Sequence, residues 1–346
     1  MNHTFPSSDP PVAPMLPCTT PPEEVRRTFS RIGLSYAAMT LGLQITVTAC
    51  QYLLFYLAPH LLDTWWISWV LSIIPLYTVG LGILWLVIRR VPVFPHNTDY
   101  AVGITASADK PSFGLGHWLI LLVIAFGCMT AGGLVGNAIM SILSAVMDYD
   151  YANALGNMVS SSPVWVTFVG ACICAPLGEE LLFRKLLIDR TRRFGDLPSI
   201  LVSGLLFGLF HGNLFQFFYA AAVGMVLAYV YTRSGKYWWC VAMHAAFNFV
   251  GSIITPALAG LLPADMISFE NLLQPLIYLL LLAWQNGVLI AGVILFCVLF
   301  SRRKLSRGSA PLCRDNAVSL VLGNAGMIFV LVVMGLILAM NLRPLP

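Results

Sequence analysis

The chain has 346 residues, of which 58% are hydrophobic and 10% are charged. Soluble domains carry about 25% charged residues, so this composition excludes an ordinary soluble protein and predicts an all-α polytopic membrane protein. The formal net charge is +4, but basic residues beside apolar stretches are better explained by membrane topology than by an acidic partner. We therefore expect membrane lipid around the protein and no nucleic-acid partner.

Apolar stretches of about 20 residues, the length that spans a bilayer as a helix, recur along the chain. They cover residues 34–58, 65–88, 118–146, 162–187, 198–211, 214–232, 238–258, 275–300 and 317–341. Because the fifth is short and joins the sixth through residues 211–213, we expect eight to nine transmembrane helices. We divide the chain into a disordered, Pro-rich cytoplasmic tail (1–32), N-terminal spans (33–150), a core (151–260) and C-terminal spans (261–346).

Basic residues mark every second connection between these spans. They precede the first span and follow the second, fourth, sixth and eighth, at Arg26, Arg27, Arg31, Arg89, Arg90, Lys110, Lys185, Arg190, Arg192, Arg193, Arg233, Lys236, Arg302, Arg303, Lys304, Arg307 and Arg314. The intervening connections hold no Lys or Arg, and the exception is Arg343 in the C-terminal tail. Since loops rich in Lys and Arg stay in the cytoplasm, we expect a multi-pass cell-membrane protein with a cytoplasmic N-terminus and an external C-terminus.

The fourth span contains APLGEELLFRKLL (residues 175–187), which places charges in an apolar helix. Residues four apart share a helix face, so Glu180 and Arg184 can pair. Glu179 points about 100° away and has no local partner. A position near the cytoplasmic interface accounts for Arg184 in part, but an ionisable group inside a bundle is a functional candidate.

Two later spans also carry polar pairs at helical spacing. The fifth ends with Phe207 and His211 four apart, and the seventh contains His244 and Asn248 four apart. A single histidine in an apolar span is more often a packing residue. Three spans that each hold a polar group instead favour a shared site, because Glu, His and Asn can activate water and bind an oxyanion.

These motifs resemble the three-motif pattern of the CPBP family, which comprises CAAX prenyl proteases and bacteriocin-processing or immunity proteins and is also called Abi. The motifs are Glu179-Glu180-x-x-x-Arg184, Phe207-x-x-x-His211 and His244-x-x-x-Asn248. The resemblance covers about residues 160–260 in the family's order. The flanking spans and the loop 89–116 lie outside it.

The resemblance implies an intramembrane endopeptidase whose catalytic core lies in residues 151–260. Glu179 would be the general base that deprotonates the attacking water, and His211 would hold and polarise that water. His244 and Asn248 would bind the oxyanion of the tetrahedral intermediate. The substrate would be a peptide or a membrane protein, and the sequence does not choose between them.

The remaining motif residues receive supporting roles from the same resemblance. Glu180 and Arg184 would form an ion pair that fixes the helix, and Phe207 would pack beside the site. Loss of Arg184 should therefore affect folding more than chemistry, because it leaves a buried carboxylate without its partner.

The cofactor is left open between none and zinc. Glu179, His211 and His244 make a His₂Glu set of the kind that holds catalytic zinc, and the family is described both as metalloproteases and as metal-free glutamate peptidases. The chain contains no H-E-x-x-H motif. Metal-free activation of water is therefore the favoured interpretation.

A catalytic site also makes a demand on the fold. For His211 to meet Glu179, the 211–213 turn must lie inside the bundle and not at the outer surface, which requires its backbone to face protein or water. We therefore expect Glu179 within one water of His211, and His244 lining the same water-accessible intramembrane cavity, open to the cytoplasm.

Other functions fit less well but define alternatives. A rhomboid-type nucleophile would be Ser203, yet His211 lies eight residues on, about 12 Å along a helix. An aspartyl protease needs two intramembrane aspartates, and no Asp falls within a predicted span. A non-catalytic bacteriocin-immunity or membrane-scaffold protein of the same fold stays open, and so does a transporter.

Overall fold

The computed structural model describes residues 20–94, 113–151, 153–260, 273–300, 305–312 and 314–342. The helices of these residues are α1 (Pro22–Leu57), α2 (Trp65–Ile88), α3 (Leu115–Met147), α4 (Ala154–Ser161), α5 (Val164–Phe194), α6 (Asp196–Phe210), α7 (Leu214–Ser234), α8 (Tyr237–Leu258), α9 (Leu273–Phe300), α10 (Ala317–Val321) and α11 (Ala325–Met340). Within the described residues, seven helices are long and apolar enough to cross a membrane, and α6 and α11 are shorter apolar helices. The predicted all-α polytopic fold is confirmed.

The helices follow the predicted spans closely, with three differences. The disordered tail predicted over 1–32 is wrong from Pro22 onward, because α1 begins there. Proline at the first helical position and acidic residues in the first turn both favour a helix start. Residues 1–19 of that tail, and most of the loop 89–116, lie outside the described residues. The ninth span is divided into α10 and α11, and the side chain of Asn324 caps α11 by accepting from the Met327 amide.

The third difference concerns α5, which extends to Phe194 and therefore includes Asp189. The prediction that no Asp lies in a span is wrong on this point, and α6 starts with Asp196. Asp189 is buried, and its carboxylate accepts from Tyr231 at 2.9 Å and pairs with Lys185 at 2.6 Å. These contacts explain how a carboxylate is tolerated there, and they leave it no part in an aspartyl protease dyad.

The segments predicted to be cytoplasmic gather at one end of the bundle. Arg193, at the end of α5, pairs with Glu24 at the start of α1, with 2.7 Å between Nη1 and Oε1. The Asp196 carboxylate at the start of α6 accepts from the Ser306 amide at 2.8 Å. We call the end of the bundle that holds Glu24, Arg193, Asp196 and Ser306 the basic end, after the basic connections predicted to lie there. Its assembly from distant connections agrees with the alternation of charged loops.

Helix packing places α5, α6, α7 and α8 around the motif residues. Helix α7 packs against α3 and α6, α9 packs against α3, and α8 packs against α5. Helix α11 packs along α1, where a Cβ on Gly33 would overlap the Gly326 backbone. Glycine at this crossing allows the two backbones to touch.

Helix α5 is irregular on both sides of the two glutamates. Two π-helical stretches, Phe168–Cys174 and Leu181–Leu186, flank the short α-helical piece Ala175–Glu180. Side chains from α1, α2, α6 and α8 donate to carbonyl oxygens along it. These bonds are Tyr36 to Leu182, Tyr77 to Cys174, Ser203 to Phe183, Tyr237 to Leu177 and Asn248 to Ala171. The neighbouring helices therefore hold the irregular backbone in place.

The turn between α6 and α7 lies well below the end of its neighbouring helix. Gly136 of α3 packs against the Leu214 carbonyl at the start of α7. Gly136 precedes the end of α3 at Met147 by eleven residues, about 16 Å of helix. The Gly212 carbonyl accepts from the Asn341 side chain at 2.9 Å. The backbone of the turn thus faces protein, as a turn sunk within the bundle requires.

Candidate active site

Glu180 lies at the centre of a buried polar cluster. Its Oε2 is 2.9 Å from Arg184 Nε, and both side chains are 0% exposed. Its Oε1 is 2.8 Å from His244 Nδ1. The predicted pair between Glu180 and Arg184 is therefore present, but it is a buried pair that also holds a histidine from α8. Because Glu180 accepts at Oε1, His244 carries a proton on Nδ1 and turns Nε2 away from Glu180.

That free nitrogen faces Glu179. His244 Nε2 lies 3.8 Å from Glu179 Oε2, and the Glu179 side chain is 14% exposed. The Oε2 atom is buried and has no hydrogen-bond partner among the described residues. A separation of 3.8 Å is too long for a direct hydrogen bond, and it is a distance that a bridging water can span.

His211 approaches the same carboxylate from the α6–α7 turn. Its Nδ1 donates to the Phe207 carbonyl at 2.8 Å, so Nε2 is left to interact with other groups. The ring interacts electrostatically with Glu179 and with His244. The turn that follows α6 therefore places His211 in electrostatic range of Glu179 and His244, and the predicted role of His211 in holding a water stays a prediction.

Phe207 packs at the centre of these groups, in the supporting position that was predicted. Its ring meets His211 edge-on at 4.9 Å and His244 edge-on at 5.7 Å between centroids. The Arg184 guanidinium lies 4.6 Å above the ring. A rigid aromatic ring in contact with both imidazoles limits their rotation.

Asn248 stands one helical turn beyond His244. Its Nδ2 donates to the Ala171 carbonyl in the first π-helical stretch of α5 at 2.8 Å. An amide nitrogen carries two hydrogens, so one remains for another acceptor. The contact that the structure records is thus a brace on α5, and the predicted contact to an oxyanion would use the second hydrogen.

The three predicted zinc ligands do not form a metal site as they stand. Among the described residues no three His, Cys, Asp or Glu side chains are grouped so that they could hold a metal ion. His244 Nδ1 bonds to Glu180 and His211 Nδ1 to the Phe207 carbonyl, which leaves both Nε2 atoms free, so the spacing of the three side chains, and not their hydrogen bonding, argues against the metal site. We therefore derive no chemical step through a metal.

Sequence reasoning missed three tyrosines that interact electrostatically with one or other of the two glutamates. Tyr77 and Tyr219 interact electrostatically with Glu179, and Tyr237 interacts with Glu180. Tyrosine is common in transmembrane helices, and each of the three lies outside the motifs. Helical spacing alone offers no signal that would have selected them.

A second polar chain runs from the α6–α7 turn. Asn213 caps α7 by accepting from the Gln216 amide at 2.9 Å, and its Nδ2 donates to Gln216 Oε1. Gln216 Nε2 donates to the Tyr219 hydroxyl at 2.9 Å. Since that hydroxyl accepts from Gln216, its own proton is free to point elsewhere.

A cavity of about 480 Å³ opens at the α7–α8 turn. It is lined by Gly235, Lys236, Tyr237, Trp238 and Trp239. Its lining includes Tyr237, whose hydroxyl reaches the Leu177 carbonyl two residues before Glu179. The cavity lies beside the candidate site and does not contain its carboxylates.

Comparison with known proteins adds two findings. A family model described as "Type II CAAX prenyl endopeptidase Rce1-like" matches residues 161–250, which include every motif residue named above. A Bacillus subtilis (strain 168) protein described as "Putative membrane peptidase YdiL" is 25% identical over 148 residues, which are 41% of this chain and 57% of that protein. The chain therefore matches a little over half the length of this relative. No solved structure matches the chain.

Proposed function

We propose that this chain, a member of the CPBP family of membrane proteases through its residues 161–250, is an intramembrane endopeptidase that uses Glu179 to activate water. The observation that carries the proposal is the unpartnered Oε2 of Glu179, which lies 3.8 Å from His244 Nε2. A buried carboxylate oxygen without a donor is costly. A water shared with the two histidines would satisfy it and would be placed for reaction.

In this mechanism the general base is Glu179. It takes one proton from the water while the water oxygen bonds to the carbonyl carbon of the scissile peptide. His211 Nε2 accepts from the second water hydrogen and so orients the oxygen. When the tetrahedral intermediate collapses, the C–N bond breaks and the Glu179 carboxyl returns its proton to the leaving amine.

The oxyanion is bound from α8. Asn248 offers its second amide hydrogen, and His244 offers Nε2–H when it carries two protons. Donors fixed before the reaction stabilise the developing charge without reorganising.

Glu180 and Arg184 act on the chemistry through His244. The ion pair fixes Glu180 at 2.9 Å from Arg184, and Glu180 then fixes the ring of His244 at 2.8 Å. A ligand that sets ring orientation and proton position is a common means of tuning a catalytic histidine. Their role thus extends beyond the helix support that the motif resemblance implied.

The proposed substrate is a peptide or a membrane protein cleaved near the membrane. The basic end would face the cytoplasm, with the chain in the cell membrane, the N-terminus inside and the C-terminus outside. The alternative of an immunity or scaffold protein keeps the same fold without cleavage. The 3.8 Å approach of His244 Nε2 to Glu179 Oε2, with His211 in electrostatic range of both, favours the protease, because these groups can activate water.

Hydrolysis in water enriched in ¹⁸O tests the proposal. The purified full chain, in lipid nanodiscs, is incubated with two quenched fluorescent peptides. Both peptides end in the same CAAX sequence, and the cysteine of that sequence is farnesylated in one of them only. We expect cleavage of at least one peptide, with one ¹⁸O atom in the new carboxylate as mass spectrometry would show. Intact peptides with a folded protein would favour the scaffold alternative. Preference for the farnesylated peptide would define the substrate class.

A further inference from the structure

Glu179 stands on a piece of helix that is weakly held by its own backbone. The six-residue piece Ala175–Glu180 lies between two π-helical stretches. Pro176 within it has no amide hydrogen to donate to the preceding turn. Short π-helical insertions are energetically poor and often occur at functional sites. The position of Glu179 therefore depends on contacts from other helices.

Two tyrosine hydroxyls supply such contacts from two neighbouring helices. Tyr77 of α2 donates to the Cys174 carbonyl at 2.5 Å, and Tyr237 of α8 donates to the Leu177 carbonyl at 2.6 Å. The two acceptors are three residues apart, almost one turn, and both lie within five residues of Glu179. The two tyrosines also interact electrostatically with each other.

A close approach next to Glu179 accommodates one of these hydroxyls. A Cβ on Gly178 would lie 3.1 Å from the Tyr77 hydroxyl oxygen, which is tighter than ordinary contact. Tyr77 itself follows Pro75 on a π-helical stretch of α2, Leu76–Gly80. The donor Tyr77 and the acceptor Cys174 thus both lie in π-helical stretches, and the two stretches face each other.

We propose that Tyr77 and Tyr237 are positioning residues that clamp the Cys174–Leu177 turn and thereby hold the Glu179 carboxylate at its distance from His244 and His211. The inference rests on the proposed function for its catalytic consequence, and on the two hydrogen bonds for its structural one. Neither tyrosine touches the reacting atoms. Each acts through the backbone that carries Glu179, and a displacement of about 1 Å of a catalytic group can cost roughly 10²-fold in rate.

The variants Tyr77→Phe, Tyr237→Phe and the double variant test the clamp in the full chain. Hydrogen–deuterium exchange in nanodiscs should show faster exchange of amides in residues 174–181 for each variant, and fastest for the double. Cleavage of the quenched peptide should lose about 10-fold in kcat for each single change and roughly 10²-fold for the pair, with KM within about twofold. A KM change alone would contradict a positioning role.

Tyr36→Phe is the matched control. Tyr36 donates to the Leu182 carbonyl of the same helix at 2.6 Å, but beyond the glutamates. We expect it to alter stability while leaving kcat and exchange at 174–181 near wild type. If wild type cleaves peptide and both tyrosine variants match it in kcat and exchange, the clamp is refuted while the proposed function stands. If wild type cleaves nothing, the exchange data still decide the clamp, since they need no substrate.

Discussion

Replacing Arg184 with alanine tests the buried cluster most severely. The change removes the arginine that pairs with Glu180, whose side chain is 0% exposed. Removing one partner of a buried ion pair typically costs about 3–5 kcal/mol, because the other charge remains buried without compensation. Arg184→Ala also loses the 3.2 Å hydrogen bond to Ser203 and the contact with the Phe207 ring. We therefore expect a loss of unfolding free energy near the upper end of that range.

The double variant Glu180→Gln with Arg184→Ala separates charge from packing. Glutamine keeps an oxygen that can accept from His244 Nδ1 but has no charge to strand, so the double variant should be more stable than Arg184→Ala alone. Unfolding of the purified protein by SDS in mixed micelles, followed by circular dichroism, measures the unfolding free energy of Arg184→Ala and of the double variant. Membrane levels of each variant give an independent reading in cells.

Lys185→Ala is the control for this experiment. Lys185 is 50% exposed, and its partner Asp189 is 3% exposed but also accepts from the Tyr231 hydroxyl, so losing Lys185 should cost less than losing Arg184. The account is refuted if Arg184→Ala is no less stable than Lys185→Ala, or if the double variant is less stable than Arg184→Ala. Complete loss of cleavage with unchanged stability would show that Arg184 acts in chemistry alone.

Three further predictions concern packing, depth and metal. Gly33→Ala should destabilise the α1–α11 crossing by about 1–3 kcal/mol in the same SDS assay. Gly82→Ala is the control, because a Cβ added at Gly82 meets nothing within 4 Å. Equal stabilities of the two variants would contradict the close crossing. Asn213→Cys should react with an impermeant maleimide in inside-out vesicles above the wild-type background, and ready labelling of intact cells from outside would overturn the buried turn. Peptide cleavage should survive dialysis against a zinc chelator, and loss of activity that is restored by added Zn²⁺ would replace metal-free activation of water.

The spans could be predicted because hydropathy and loop charge act locally. Each of the nine predicted stretches corresponds to helix, and the basic connections meet at one end through contacts such as Arg193 with Glu24. The start of α1 was missed because the Pro-rich composition of the tail outweighed its capping pattern, Pro22 followed by two acidic residues. The length of α5 was missed because Asp189 and the arginines near it read as a loop, whereas tertiary contacts bury them.

The motif residues could be placed on shared faces from spacing, but their partners could not. Helical spacing pairs Glu180 with Arg184 and says nothing about His244, which comes from a helix 64 residues later in sequence. The irregular backbone of α5 also breaks the 3.6-residue period on which such reasoning depends. The contacts of Asn248 with the Ala171 carbonyl and of Tyr77 with the Cys174 carbonyl fall in a π-helical stretch, and so have no sequence pattern of their own.

The central claim is that the Glu179 carboxylate activates water, and the most direct test is the rate of peptide cleavage by Glu179→Gln. Glutamine keeps the size of the side chain and removes the base. We therefore expect kcat to fall by about 10²–10⁴-fold while the free energy of unfolding stays unchanged. Glu24→Gln, whose side chain is 46% exposed at the basic end, should retain wild-type cleavage. A Glu179→Gln variant that cleaves the peptide at the wild-type rate would contradict the account.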